Sequence, residues 1–419
     1  MTLHLRLYRI GMRATAMAAP LIFRWRKSKG KELEGRYNER LARALPQRED
    51  GALIWLHGAS LGESKLLLGL ADELRKLHPE TVLLFTSQTA SSANIVGANL
   101  PGRATHQMLP LDTPAAAQRF IAHWQPKLSI FAEGEVWPNL LEAAKRSGSQ
   151  TALINARMRK SSLERWNKAK QSARHVFAQF DAIIAADANT ASGLSRLLGR
   201  DVENSGNLKA ALVKPATDRK PAQETDAWQA EHGVTSIVLG ASTHEGEEAF
   251  LLDALKDLPE TTRLIIAPRH LSRADEIETL IQAAGYSYIK RSTGQTARPD
   301  TRIILADTFG EMDLWYASAD AVFLGGGLPT HVGGHSPLEP LRFGLAIATG
   351  PHTESFADIH AELGPRGWSH IVQTPSEFAR FAQSATTIST NEIDTYFAAR
   401  KGALQHTLAT LSNLLNEAN

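Results

Sequence analysis

The chain of 419 residues contains no cysteine, which excludes disulfides, thiolate nucleophiles and cysteine-bound metals and suits a reducing compartment. Its N-terminal region lacks a membrane-spanning run: the apolar stretch from Ala14 to Phe23 is broken by Pro20 and falls well short of the roughly 20 residues a spanning helix needs. Arg6, Arg9 and Arg13 precede that stretch and no small-residue cleavage site follows it, which argues against a signal peptide. No G-x-G-x-x-G motif follows a strand-like run, so a dinucleotide enzyme is not expected. No H-E-x-x-H motif is present, and His331 and His335, four apart, are separated by Gly333-Gly334. His57, His244, His270 and His335 are therefore read as hydrogen-bonding groups, and no metal is expected. Repeats and low-complexity tracts are missing too.

What is there belongs to a folded protein, with 43% hydrophobic and 21% charged residues. The length calls for two domains. A net charge of +2 hides an asymmetry: residues 1–50 carry 12 Lys and Arg against 5 Asp and Glu, leaving 34 against 39 in the remainder. A basic, amphipathic arm on a mildly acidic body suits an anionic surface. In one reading Leu5, Tyr8 and Leu21 to Phe23 enter a lipid headgroup layer while Arg24, Arg26, Lys27 and Lys29 face phosphates. In the other, compatible with the first, the segment is a helix docked on its own domain.

Strand-like runs at Ala52–Leu56, Thr81–Phe85, Leu128–Ala132, Thr151–Ile154 and Ala182–Ala185 alternate with helical spacing such as Leu66–Leu77 and Ala115–Trp124. The pattern restarts at Ile237–Leu239, Leu264–Ala267, Ile303–Leu305, Ala321–Leu324 and Leu345–Ala348, after a connector at Lys214–Gln223. Such alternation predicts βαβ units and parallel sheets, hence an α/β chain of two Rossmann-like domains facing a cleft. Ligands then bind beyond the carboxyl ends of the strands.

At those ends the polar residues gather. Gly58 to Gly62 lead into Glu63 at a strand–turn–helix junction. There a carboxylate can take a proton from a hydroxyl, or simply complement the helix dipole as a first-turn residue. Glu133 and Glu135 flank Gly134 after another strand and suit sugar hydroxyls or a basic group, and Trp137-Pro138 opens the next helix. Lys209, in a turn, is either a charge-balancing cation or a solvated surface group. In the second half, small hydroxyl residues after Gly240 are expected to open a helix whose amides favour anions. Arg269 after Pro268 can fork onto a phosphate. The glycines at 325–327 would let a ligand approach the backbone, and Glu339 would accept from ribose hydroxyls. With Asp307 to Met312 after the strand at Ile303–Leu305, four polar strand ends in one domain point to a phosphate or nucleotide.

Taken in order, these residues resemble the 3-deoxy-D-manno-octulosonic acid (Kdo) transferases, the lipid A glycosyltransferases of Gram-negative bacteria. The likeness rests on Gly35-Arg36-Tyr37, Gly62-Glu63, Glu133 with Glu135 and Trp137-Pro138-Asn139, Asn155-Ala156-Arg157, Gly206-Asn207-Leu208-Lys209, Ser242 to Glu248, Pro268-Arg269-His270, Gly310-Glu311 and Pro337-Leu338-Glu339. It departs where Ser336 replaces the usual Asn and where Ala210-Ala211 replace Phe-Asp. The resemblance implies a GT-B glycosyltransferase fold and inverting transfer of Kdo from CMP-Kdo to a hydroxyl of the lipid A precursor (lipid IVA) in lipopolysaccharide core biosynthesis, with no metal and no cofactor. Glu63 resembles the general base, and Glu133 and Lys209 resemble groups that stabilise the transition state. Pro268-Arg269, Gly310-Glu311-Met312 and Ser336-Pro337-Leu338-Glu339 resemble the CMP-binding segments. It also implies a membrane-associating segment at 1–30, an acceptor domain at 31–210 and a donor domain at 211–419, whose last helix packs back on the acceptor domain. The implied partners are CMP-Kdo, the lipid A precursor and the cytoplasmic face of the inner membrane, with no nucleic acid. Another GT-B transferase or a nucleotide-sugar epimerase, using a different activated sugar, is the alternative.

Overall fold

A computed structural model describes residues 2–28, 32–33, 35–43, 45–213, 215–216, 225, 228 and 234–418, without the side chains of residues 27 and 28. Lys29, the Lys27 side chain and all of the 214–223 connector except residues 215 and 216 lie outside these described residues. The chain divides into two compact units, one comprising Met1–Leu212 with Ala399–Asn419, the other Val213–Ala398.

The first unit is a parallel sheet of β1 (Leu53–His57), β2 (Val82–Ser87), β3 (Ala104–Met108), β4 (Leu128–Ala132), β5 (Gln150–Ala156), β6 (Ala182–Ala185) and β7 (Glu203–Asn204), in the order β3-β2-β1-β4-β5-β6-β7. Its central strands are apolar on both faces because helices cover both. In β1, Leu53 and Trp55 join one core while Ile54 and Leu56 join the other. The second core is completed by Ala403, Leu411, Leu414 and Leu415 of the C-terminal helix Lys401–Glu417. Strand order reverses between β1 and β4, so the loops after these two strands splay apart and leave room for a ligand. Glu63 and Glu133 follow those two strands.

The N-terminal helix Leu3–Ser28 packs on this unit. Leu5 and Phe23 are buried, the Tyr8 hydroxyl donates to Asp112 Oδ2 at 2.8 Å, and Arg9 bonds Asn139 at 3.0 Å and pairs with Glu142. Leu5, Tyr8 and Phe23 are thus docking residues rather than headgroup residues, a correction to the first reading of the arm. The opposite face presents Leu3, Leu7, Ile10, Met17, Leu21 and Trp25 to solvent. No helix among the described residues is long and apolar enough to cross a membrane.

The second unit repeats the design with β8 (Ser236–Thr243), β9 (Thr262–Pro268), β10 (Tyr288–Lys290), β11 (Ile303–Leu305), β12 (Ala321–Leu324), β13 (Ile347–Thr349) and β14 (Ser369–Ile371), ordered β10-β11-β9-β8-β12-β13-β14. Here the order reverses between β8 and β12. Gly240 lies inside β8, and the following helix starts only at Glu247. The expected helix opening directly after Gly240 is therefore displaced, because β8 runs on through Thr243 and pairs with Pro268 of β9.

Candidate active site

In the first unit the β1 loop closes tightly onto the helix Leu61–Leu77. A Cβ on Gly58 would meet Glu63 Cβ at 2.8 Å, so glycine permits the approach. Ser60 caps the helix: its Oγ accepts from Glu63 N–H at 3.3 Å, and Glu63 Oε2 accepts from Ala59 N–H at 2.7 Å. Ser60 Oγ–H also donates to Glu63 Oε1 at 2.7 Å. The capping function open at the sequence level is therefore real, and it fixes the carboxylate. Glu63 is also 8% exposed. Burial pushes its pKa up and the charges of Glu133 and Glu135 add to the rise, while the bonds from Ser60 and Ala59 hold it back. A buried carboxylate with a raised pKa, held in place by short bonds, has the properties of a general base.

Glu133 follows β4 in a left-handed conformation, φ 56°, and Asn155 at the neighbouring end of β5 has φ 48°. Non-glycine residues rarely adopt this region, and such strain concentrates at functional sites. Asn155 Nδ2–H donates to Glu133 Oε1 at 3.3 Å, and its Oδ1 accepts from Leu208 N–H at 2.8 Å. That second bond fixes the start of the short helix Leu208–Leu212, which carries Lys209. Lys209 Nζ lies 2.5 Å from Glu133 Oε1. The same ammonium lies over Gly62, where a Cβ would stand 3.3 Å from it. Glu63, Glu133 and Lys209 are thus gathered at the strand-order reversal of one unit.

Of four further residues in this cluster, sequence reasoning assigned no role to Ser60 and Asn155, read His57 as a hydrogen-bonding group and read Glu135 with Glu133 as suited to sugar hydroxyls or a basic group. Fully buried His57 sits 3.2 Å through Nε2 from Glu135 Oε2, with its Nδ1 2.9 Å from Thr86 Oγ1. Trp137 Nε1–H donates to the same Glu135 oxygen at 2.9 Å. Burial pushes the Glu135 carboxyl up, but the His57 and Trp137 contacts outweigh it and hold its pKa below the ordinary value. All four lie within or beside the motifs that carried the resemblance, and for Ser60 and Asn155 motif position was the available signal.

In the second unit the sequence-predicted residues divide into framework and open groups. Pro268 is buried at the end of β9. Arg269 is exposed, and its guanidinium takes no carboxylate partner among the described residues. Gly310 turns the chain at φ 88° into the helix that begins at Met312. Glu311 receives the Arg291 guanidinium at 2.8 and 3.1 Å and the Thr308 hydroxyl. These bonds, the Arg291 one foremost, hold its pKa below the usual range. The carboxylate of Glu311 therefore braces its loop. Ser336 and Pro337 lead into the one-turn helix Leu338–Leu341, where Leu338 is buried and Glu339 occupies the first turn.

The glycine-rich loop after β12 packs on its own chain. A Cβ on Gly325 would meet Glu247 Oε2 at 2.7 Å, and one on Gly327 would meet Gly350 N at 2.6 Å. Fully buried Glu247 accepts from the amides of His244, Gly326 and Leu328 at 2.8, 2.8 and 3.1 Å, which locks this loop to that of β8. Close packing of backbone on backbone is thus a demonstrated use of these glycines. Beside them His244 and His335 face each other through Nε2 at 2.9 Å, and burial first, then neighbouring cations, lowers each pKa to about 4. Among the described residues no group of three or more His, Cys, Asp or Glu side chains could hold a metal ion.

Comparison with known proteins places this arrangement. Residues 35–212 match the family model described as 3-deoxy-D-manno-octulosonic-acid transferase (kdotransferase). The chain is 34% identical over 335 residues to the 3-deoxy-D-manno-octulosonic acid transferase of Rickettsia bellii (strain RML369-C), covering 79% of this chain and 78% of that one. It is 32% identical over 356 residues to that of Bordetella pertussis, covering 81% and 82%. In fold, it superposes with a TM-score of 0.56 and 14% identity on a putative UDP-N-acetylglucosamine 2-epimerase from Listeria monocytogenes, over 88% of this chain and 98% of that one. The fold class is that of the GT-B glycosyltransferases and related epimerases. Two-unit α/β architecture, the ordered site motifs and these relatives agree that the chain belongs to the 3-deoxy-D-manno-octulosonic acid (Kdo) transferase family and is a glycosyltransferase.

Proposed function

We propose that this enzyme transfers Kdo from CMP-Kdo to a hydroxyl of the lipid A precursor (lipid IVA) in lipopolysaccharide core biosynthesis, inverting the anomeric centre, with Glu63 as the general base. The observation that carries the reading is the match, over about four fifths of both chains, to relatives named as Kdo transferases. The geometry of Glu63 supplies the chemistry.

The ionised Glu63 takes the proton of the acceptor hydroxyl as that oxygen forms its bond to the anomeric carbon of Kdo. The bond from that carbon to the phosphate oxygen breaks, and CMP leaves with the electron pair and its phosphate charge. Positive charge builds on the sugar ring meanwhile. The Glu133–Lys209 pair supplies opposite charges beside the reacting atoms, at positions fixed by Asn155. In the second unit Arg269, which has no carboxylate partner among the described residues, offers its guanidinium to the phosphate. Pro268, the Gly310-Glu311-Met312 turn and Ser336-Pro337-Leu338-Glu339 form the CMP-binding segments. The braced Glu311 acts there as a framework, leaving direct contacts to backbone and neighbours.

The acceptor is an anionic lipid, and the exposed apolar stripe of the N-terminal helix suits attachment to the cytoplasmic face of the inner membrane. Exposed Arg6, Arg13 and Arg24 stand in a row along that stripe at helical spacing. Purified protein incubated with CMP-Kdo and lipid IVA, with products resolved by mass, tests the whole reading. Lipid carrying added Kdo residues is expected. Transfer from a UDP-sugar, with none from CMP-Kdo, would overturn it in favour of another GT-B chemistry.

A further inference from the structure

Glu135 has all its hydrogen bonds on a single oxygen, and unlike Glu133 it is paired with no lysine or arginine among the described residues. Its Oε2 accepts from Trp137 Nε1–H at 2.9 Å, from His57 at 3.2 Å and from Gln88 Nε2–H at 3.4 Å. Thr86 Oγ1 accepts from Trp55 Nε1–H at 2.8 Å and lies 2.9 Å from His57 Nδ1, while His57 Nε2 faces both Glu135 Oε2 at 3.2 Å and Trp137 Nε1 at 3.1 Å. Oε1 has no partner among the described residues, and the side chain keeps 18% of its surface accessible. Glu135 lies close enough to Glu63 for its charge to act on that carboxyl. Three donors spent on holding one oxygen, with the other left open beside a base, describe a polar group aimed at a ligand.

We propose that Glu135 is a binding residue for the acceptor sugar: Oε1 accepts a hydrogen bond from a second hydroxyl of the ring whose other hydroxyl Glu63 deprotonates. The inference rests on the transferase reading above and deepens it. His57 and Trp137 act through Glu135 and are positioning residues.

The discriminating variant is Glu135→Gln. The three donors around Oε2 oblige the amide to turn its carbonyl oxygen inward, so its NH2 replaces the open acceptor with a donor. Calorimetric titration with the lipid acceptor alone, and steady-state kinetics with both substrates, would be run on parent and variant. Acceptor Kd and KM should rise roughly tenfold to a hundredfold, the loss of one charge-assisted hydrogen bond, with CMP affinity and the melting midpoint unchanged. An acceptor lacking the second hydroxyl should lose the same factor with the parent and nothing further with the variant. Unchanged acceptor affinity and KM in the variant would overturn the inference while leaving the transferase reading intact. A parent that binds the acceptor but does not use CMP-Kdo overturns the donor assignment, with the titration still deciding Glu135. A parent that binds no such acceptor overturns both.

Discussion

Lys209 Nζ and Glu133 Oε1 stand 2.5 Å apart, the lysine on a short helix anchored through Asn155 and the carboxylate on a strand end in a left-handed conformation. Neither position is where a free surface side chain would settle, since Asn155 binds both the Glu133 carboxylate and the backbone of the lysine helix. The two charges therefore act as one device.

If they do, Glu133→Gln and Lys209→Gln should each lower kcat by roughly 10² to 10³, the range for losing one preorganised electrostatic group. The double variant should be no worse than the poorer single one. Losses that multiply would show two independent roles.

Glu63→Gln should abolish transfer, a fall in kcat/KM of at least about 10² to 10⁴, while CMP still binds. The fold should persist, because the amide oxygen can still accept from Ala59 N–H while its NH2 donates to Ser60 Oγ. Full activity in this variant would remove Glu63 from the mechanism.

The pH profile tests the same residue from another side. Burial raises the Glu63 pKa, and only the ionised form accepts a proton. Activity should therefore fall as pH drops through a value above the ordinary carboxylate range. Ser60→Ala deletes a bond that holds the carboxyl down, so the acid limb of log kcat/KM should move to higher pH. It should also cost about 1 kcal/mol of stability through the lost cap. An acid limb that stays in place, or moves to lower pH, would contradict this electrostatic account.

The sequence made the inner strands of both sheets readable and hid their edges. The strands without a sequence signal are β3, β7, β10 and β14, and each lies at the end of a sheet. Inner strands are covered on both faces and show as continuous apolar runs, whereas edge strands carry polar residues that break the run. In β3, His106 bonds Ser87 and Gln107 accepts from Trp124, so buried polar pairs replace apolar contacts. At the site, motif order located Glu63, Glu133 and Lys209. Hydrogen-bond direction was not legible there. That Glu311 is spent on Arg291 while Arg269 stays open is decided by side-chain geometry across distant segments.

Gly327→Ala separates two roles of the glycine-rich loop. A Cβ there would press against Gly350 N at 2.6 Å, and backbone cannot step aside as a flexible side chain can. Overpacking of this kind costs about 1–3 kcal/mol, so the melting midpoint should fall by several degrees. Ser336→Ala, outside that contact, should leave it unchanged. A stable Gly327→Ala protein with weakened CMP binding would instead assign the glycine to ligand approach.

The two faces of the N-terminal helix should separate membrane attachment from stability. Leu3, Leu7, Ile10, Met17, Leu21 and Trp25 recur three, four or seven residues apart and so share one exposed face, with Met17 79% and Leu21 75% accessible. Burying one such side chain in lipid is worth about 1.5–3 kcal/mol. Met17→Asp or Leu21→Asp should then weaken co-sedimentation with anionic phospholipid vesicles by roughly tenfold or more, and added salt should weaken the parent through its arginines. Melting temperature and transfer to detergent-dispersed acceptor should stay at parent values. Tyr8→Phe, on the docked face, removes a bond to the buried Asp112. It should lower stability by about 1 kcal/mol and leave vesicle binding unchanged. If the aspartate variants sediment with vesicles as the parent does, the stripe is not the attachment face, whatever Tyr8→Phe does to stability.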